Sequence, residues 1–270
     1  MRLLASRSMI TACAAVLLLL SGCKQSSATR HTEQFIPVTR STRVEVTVTT
    51  GYISVAAGRT GMVSLKTFRK VRSMWNAEAK LKHIQVQATK KDGVLSIVGK
   101  NPPSDSSQKY HMHLTVTVPP STPLVLKTHH GHINLTNLLG DVQASTKRGE
   151  LTARGITGRL TLTTGEGNIT LRGAPRQFTL RTRLGDVKIW LRPETQLVGK
   201  NEASTESGAL TLHASTKLQA LVTARATAGT IESAFPRESK RPQWAQMRLG
   251  RGGPPISLSC HKGNLRLKKW

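Results

Sequence analysis

The feature that most constrains this chain is a spacing. Gly131, Gly149, Gly167 and Gly185 each precede a short alternating run ("GHINL", "GELTA", "GNITL", "GDVKI"), and consecutive glycines stand 18 residues apart. Each has a threonine three residues earlier: Thr128, Thr146, Thr164 and Thr182. Gly140 and Gly158 form an interleaved series with the same step. A fixed period near 20 residues means stacked units, because one such unit cannot bury its own apolar face.

Eighteen residues hold two short strands and two corners. The period of two sends Ile133/Leu135, Leu151/Ala153, Ile169/Leu171 and Val187/Ile189 to one wall, and Val142/Ala144, Leu160/Leu162 and Phe178/Leu180 to the opposite wall. Glycine allows positive φ at the corner, and threonine is placed to hydrogen-bond across it. The expected fold class is therefore all-β, a β-solenoid or β-helix-like stack of short strands in coils of about 18 residues, regular over 124–192. The segment "TGEGNITL" is one corner and one strand of the third copy. Its Gly-x-Gly pair lacks the third glycine and the following helix of a dinucleotide loop.

The frame continues more loosely at Gly208 ("TESGALTL"), Gly229 ("TAGTIESAFP"), Gly263 ("CHKGNLRL") and, near the start, Gly51 ("TTGYISV"). Cys260 occupies the threonine slot, which reads as a small turn residue before a nucleophile. A different piece precedes the regular coils. One short helix is expected near 76–82, then strands over 84–88 and 94–98 about the Asp92-Gly93 turn, and a loop at "NPPSDSSQ". Residues 236–254, rich in Pro, Arg and Gly, read as a long loop.

This layout resembles the bacterial putative-adhesin family of β-strand-repeat domains, a domain of unknown function related to head domains of the GIN type. The resemblance rests on the helix before "IQVQATKKDGVLSI", on "LTVTVPPSTPLVLKTHHGHINL", on the T-x-x-G copies, on "GTIESAFP" and on "ISLSCHKGNLRL", and covers nearly all of 40–270. It implies a β-helix-like solenoid and no established reaction. The chain departs from the family in its unusually basic turns.

The start is a targeting segment. Arg2 and Arg7 precede an apolar run from Met9 to Leu20, too short to span a bilayer comfortably. "LSGC" resembles a bacterial lipobox, which implies a signal peptide over 1–22, acylation of Cys23 and a lipidated amino terminus and linker over 23–40, ahead of the domain at 41–270. Lys24 stands where the inner-membrane retention signal of similar lipoproteins has Asp, so the expected location is the cell envelope, at the outer membrane. Anchoring to the membrane is through the lipid on Cys23.

Charge bounds the partners. The chain carries 40 Lys and Arg against 14 Asp and Glu, a formal +26; loss of Arg2 and Arg7 leaves +24. Such a field attracts polyanions. In the envelope these are lipopolysaccharide and peptidoglycan, with an envelope protein as the other expected partner; nucleic acid is not expected, being reachable only from an outward-facing protein. Candidate polyanion contacts are Lys147 and Arg148 in the turn column, Arg154 and Arg172 on outward strand positions, and Arg181 and Arg183 on one face of a strand.

Two rival functions remain. His111 and His113 share a strand face, and His129, His130 and His132 crowd the next turn, so converging imidazoles would make a metal-binding lipoprotein. Glu150 and Asp186 share an outward column at a separation of two coils, about 9–10 Å at the usual strand spacing, which would suit a glycan-acting enzyme. Against catalysis, the chain has no G-x-S-x-G, H-E-x-x-H or P-loop motif. The leading expectation is a non-catalytic surface for binding or scaffolding, without a cofactor.

Overall fold

A computed structural model describes residues 26–105, 107–238, 241 and 243–270. The leader and the lipobox cysteine Cys23 lie outside the described residues. The regular repeat builds two parallel sheets that face each other across one core. Sheet I takes Ile133–Thr136, Leu151–Arg154, Ile169–Gly173 and Val187–Leu191. Sheet II takes Leu124–His130, Val142–Arg148, Arg159–Glu166 and Gln177–Leu184. Leu151 pairs with both Ile133 and Ile169, and Leu160 with both Val142 and Phe178, so equivalent residues stack at the 18-residue offset. Both inward walls are buried.

The two repeated residues have separate jobs. Gly149, Gly167 and Gly185 adopt φ of +147°, +145° and +146°. A Cβ on any of them would lie 2.0–2.2 Å from the carbonyl oxygen of the glycine one coil away. Glycine is thus required twice, for the dihedral and for the approach of neighbouring backbones. The threonine hydroxyls reach along the stack: Thr146 donates to the Gly131 carbonyl at 3.3 Å, Thr164 to Gly149 at 3.0 Å, Thr182 to Gly167 at 2.9 Å and Thr205 to Gly185 at 2.8 Å. The Cys260 thiol donates to Gly208 in the same way at 3.1 Å. Burial, together with the nearby Asp186 carboxylate, pushes that thiol above its usual range. Cys260 is a threonine substitute, as its slot predicts.

Each sheet has eleven strands, nine of them parallel among the described residues. At both ends the stacking order departs from chain order. Toward the amino terminus, the coil Arg43–Thr50/Tyr52–Ala57 stacks on the first regular coil, and Val94–Lys100 and Gln108–Val118 stack outside it. Antiparallel strands close this end: Met62–Ser73 and then Ser26–Pro37 on sheet I, and Gln85–Lys91 on sheet II. The helix Ala77–Leu81, within the expected 76–82, buries Ala77 and Leu81 there. At the other end, the carboxy-terminal coil Pro255–Lys262/Leu265–Lys269 inserts between Asn201–Ser207/Leu210–Ala214 and the earlier coil Ala220–Ala228/Ile231–Ser233.

Two boundaries differ from expectation. The stretch read as linker within 23–40 contains the edge strand Ser26–Pro37. Its residues are mostly exposed, with Ala28 alone among them buried, so it lacks the alternation by which strands are read. The loop read over 236–254 contains Trp244–Leu249, antiparallel to Ala220–Ala228. Its inward residues Ala245, Met247 and Leu249 are only three, and Pro, Gly and Arg flank them.

Candidate functional site: a basic aromatic groove

The residue after each corner glycine points outward from sheet I, and these residues form a continuous column. The Glu150 amide donates to His132 Nδ1 at 3.0 Å, and Asn168 Nδ2 donates to Glu150 Oε1 at 3.2 Å. The Asp186 amide donates to Asn168 Oδ1 at 2.8 Å, and the Ala209 amide to Asp186 Oδ1 at 2.8 Å. Glu150 and Asp186 do share a column, but each carboxylate accepts hydrogen bonds from the next coil and acts as a brace between coils. Asn168 lies between them, so they do not flank a common reaction position.

Followed toward the amino-terminal end, the column changes character. Tyr52 lies beside His132, with ring centroids 5.1 Å apart, and beside His113 at 6.0 Å in an edge-on arrangement. His113 pairs in register with Phe68, and the Phe68 ring meets His31 edge-on at 4.9 Å. The result is a row of rings across adjacent strands: His132, Tyr52, His113, Phe68, His31. Two and four residues along the strand from Phe68, Lys70 pairs with His111 and Arg72 with Lys109. The alternation "FRKVR" places Phe68, Lys70 and Arg72 on one face. Tyr52, Phe68, Lys70, Arg72, His111, His113 and His132, with His130 and Arg148, line an open groove of about 610 Å³, and His31 and Lys109 lie beyond its lining.

The groove's charge is distinctive. Burial holds the His111 imidazole below its ordinary value, and Arg72, Lys70 and Lys109 push in the same direction. Burial alone lowers His113. Both shifts favour the neutral imidazole, which can donate one hydrogen bond and accept another. Among the described residues Lys70, Arg72 and Lys109 have no ion-pair partner.

The two histidine groups do converge on the groove, and their nitrogens are in part engaged already. Among the described residues no three His, Cys, Asp or Glu are placed to hold an ion. Tyr52 separates His113 from His132, the His132 Nδ1 lone pair is taken by the Glu150 amide, and His113 Nε2 is shared with Ser54 at 3.0 Å. His129 lies outside the groove lining.

A family profile described as Toastrack DUF4097 matches residues 41–247. The chain belongs to this family. Among solved structures, a putative adhesin from Bacteroides fragilis is 17% identical, with a TM-score of 0.52 over 89% of this chain and 97% of that one. A putative adhesin from Parabacteroides distasonis is 12% identical, with a TM-score of 0.44 over 88% and 97%. A putative lipid binding protein from the same organism is 16% identical, with a TM-score of 0.37 over 89% and 96%. At these identities the first of them bears on fold alone. No curated protein matches the chain. The Toastrack match stops at 247, yet the coil after it is sandwiched inside the stack.

The six cations singled out in the Toastrack repeat do not form one surface. Arg148 borders the groove, but its guanidinium pairs with Glu166 at 3.0 Å, and Arg183 pairs with the same carboxylate at 2.9 Å. Arg181 lies on sheet II, paired with Glu202 at 2.9 Å. Lys147 is exposed at the corner. Arg154 and Arg172 pair in register on sheet I. Arg172 sits over the Trp190 ring at 4.2 Å, and Trp190 stacks on His213 at 5.0 Å and 9°. This ladder occupies both faces of Trp190, which leaves the indole little free face for a ligand. Sequence reasoning missed Tyr52, Phe68, Lys70 and Arg72. The "FRKVR" alternation was legible, but the antiparallel register that sets it beside the histidines was not.

Proposed function

We propose that this Toastrack domain is a non-catalytic, lipid-anchored binding surface of the bacterial envelope, and that its groove takes an anionic glycan polymer. The observation that carries this reading is the ring row beside Lys70 and Arg72, cations without carboxylate partners. A glycan presents apolar C–H faces suited to aromatic rings and repeats its phosphates or carboxylates along its length. Lys70 supplies a point charge and Arg72 a fork of donors to such groups. Neutral His111 and His113 add donors without raising the charge further. The family and its adhesin-like neighbours favour a binding role over a reaction, and the bracing role of Glu150 and Asp186 favours it too.

Lipidation at Cys23 and an outer-membrane location belong to the same reading and rest on the "LSGC" motif and Lys24. Among the described residues no helix is long and apolar enough to cross a membrane. The test is salt-dependent binding of residues 24–270 to lipopolysaccharide, peptidoglycan fragments and DNA. The reading expects one glycan to bind with part of its affinity retained at high salt, from ring contacts that screening does not touch. Equal binding to all three, abolished by salt, would reduce the groove to a general polyanion surface.

A further inference from the structure

We propose that the Ser73–Asn76 loop is the membrane-contacting end of the molecule, with Trp75 and Met74 seated in the interfacial region of the bilayer. This rests on the lipid-anchor reading for the side of the molecule that faces the membrane, but it starts from independent observations. The first is where the chain enters the fold. The Ser26 hydroxyl donates to the Ser73 carbonyl at 3.1 Å and accepts from the Ala77 amide at 3.3 Å. The entry point is therefore pinned to both sides of this loop. Cys23 is three residues earlier, so even a fully extended chain keeps the point of lipid attachment within about 11 Å of Ser26.

The second observation is what the loop presents. Trp75 is 74% exposed, more than any other large hydrophobic among the described residues, and Met74 is 43% exposed. Tryptophan with one apolar body and one N–H is suited to the boundary between headgroups and acyl chains. The third is that the loop is held in this shape. The buried Ser73 hydroxyl donates to the Trp75 carbonyl at 2.9 Å and receives the Lys80 ammonium at 2.7 Å and the Trp75 amide at 3.4 Å. Asn76 follows in the left-handed conformation, φ 51°, as cap of the Ala77–Leu81 helix. A rigid loop thus projects apolar side chains into water. Arg72, Lys80 and Lys82 accompany it, cations of the sign that anionic headgroups attract. Acyl chains suffice for anchoring; the loop adds orientation, standing the solenoid with its amino-terminal end on the membrane.

The test uses the full mature protein extracted from membranes, with the mass of its amino-terminal peptide measured first. The protein is reconstituted into phosphatidylcholine/phosphatidylglycerol vesicles, with and without dibrominated phosphatidylcholine, and Trp emission is compared between wild type and Trp75→Phe. Quenching by the brominated lipid in wild type, lost in the variant, is the expected result. A lipidated peptide with equal quenching in both proteins would overturn the loop contact and leave the anchor standing. An unmodified peptide would overturn the anchor. The loop contact would then be decided by the same vesicles mixed with the unanchored protein: quenching specific to Trp75 supports it, and none contradicts it. Trp75 is exposed, so the variant is expected to fold; circular dichroism spectra of both proteins check this.

Discussion

The regular coils and the amino-terminal end use the same outward column of sheet I for opposite purposes. In the coils, His132, Glu150, Asn168 and Asp186 are tied to the next coil by hydrogen bonds, and Arg148, Arg181 and Arg183 are tied to carboxylates. At the amino-terminal end the column becomes a row of rings beside unpaired cations. A repeat that satisfies its own polar groups is a scaffold; an irregular end that leaves cations and rings facing water has capacity for a ligand. Among the described residues, cations without a carboxylate partner occur in both regions, Lys147, Arg154 and Lys188 among them in the coils; what sets the amino-terminal end apart is the row of rings beside Lys70 and Arg72.

The largest expected effect breaks the scaffold side. Gly167→Ala would put a Cβ 2.1 Å from the Gly149 carbonyl oxygen at φ +145°. It is expected to cost more than about 3 kcal/mol in thermal or urea unfolding. Gly93→Ala, at φ +75° with open space around it, is expected to cost about 1–2 kcal/mol. Equal losses would mean that backbone approach between coils is not what the repeat protects.

Next come the threonines. Thr164→Val removes a hydroxyl bonded to Gly149 and leaves that carbonyl one partner short, an expected loss of about 1 kcal/mol. Thr128 sits at the first regular coil, where its buried hydroxyl finds no partner, so Thr128→Val is expected to be neutral or stabilising. Cys260→Thr restores the repeat residue, and its Tm should stay within the error of wild type.

A smaller effect sharpens the groove side. His111 and His113 titrate below the unfolded value of about 6.5. The unfolded chain then binds more protons between the two values, so their contribution to stability is present above about pH 6.5 and is lost as pH falls through the folded values. A pH series of melting curves should show a shallow fall there, flattened by His111→Gln/His113→Gln. Anion binding should strengthen over the same range as the rings charge. The smallest effect is expected from Arg172→Ala, about 0.5–1 kcal/mol from the contact with Trp190.

The repeat was legible because its causes are local. A glycine that must admit a neighbouring carbonyl, a threonine that must reach it and a period of two recur at a fixed step, and they predicted the coils and the role of Cys260. The order of coils at either end was not legible. Any T-x-x-G frame offers the same edge to any other, so nothing in Leu265 and Leu267 says that they pair beside Leu210 and Leu212 ahead of Ile231. The groove was half legible. The histidines stood out by type, while Phe68, Lys70 and Arg72 reach them through an antiparallel register that no motif marks.

The most direct test of the claim that the end binds and the coils support is one comparison of affinities. Binding of lipopolysaccharide or a peptidoglycan fragment would be measured for wild type, Lys70→Ala/Arg72→Ala and Arg181→Ala/Arg183→Ala at one ionic strength, each pair removing two charges. The account predicts at least a tenfold loss, about 1.4 kcal/mol, for the groove pair and a small loss for the coil pair, with melting temperatures close to wild type. Equal losses would contradict it and return the binding to net charge alone.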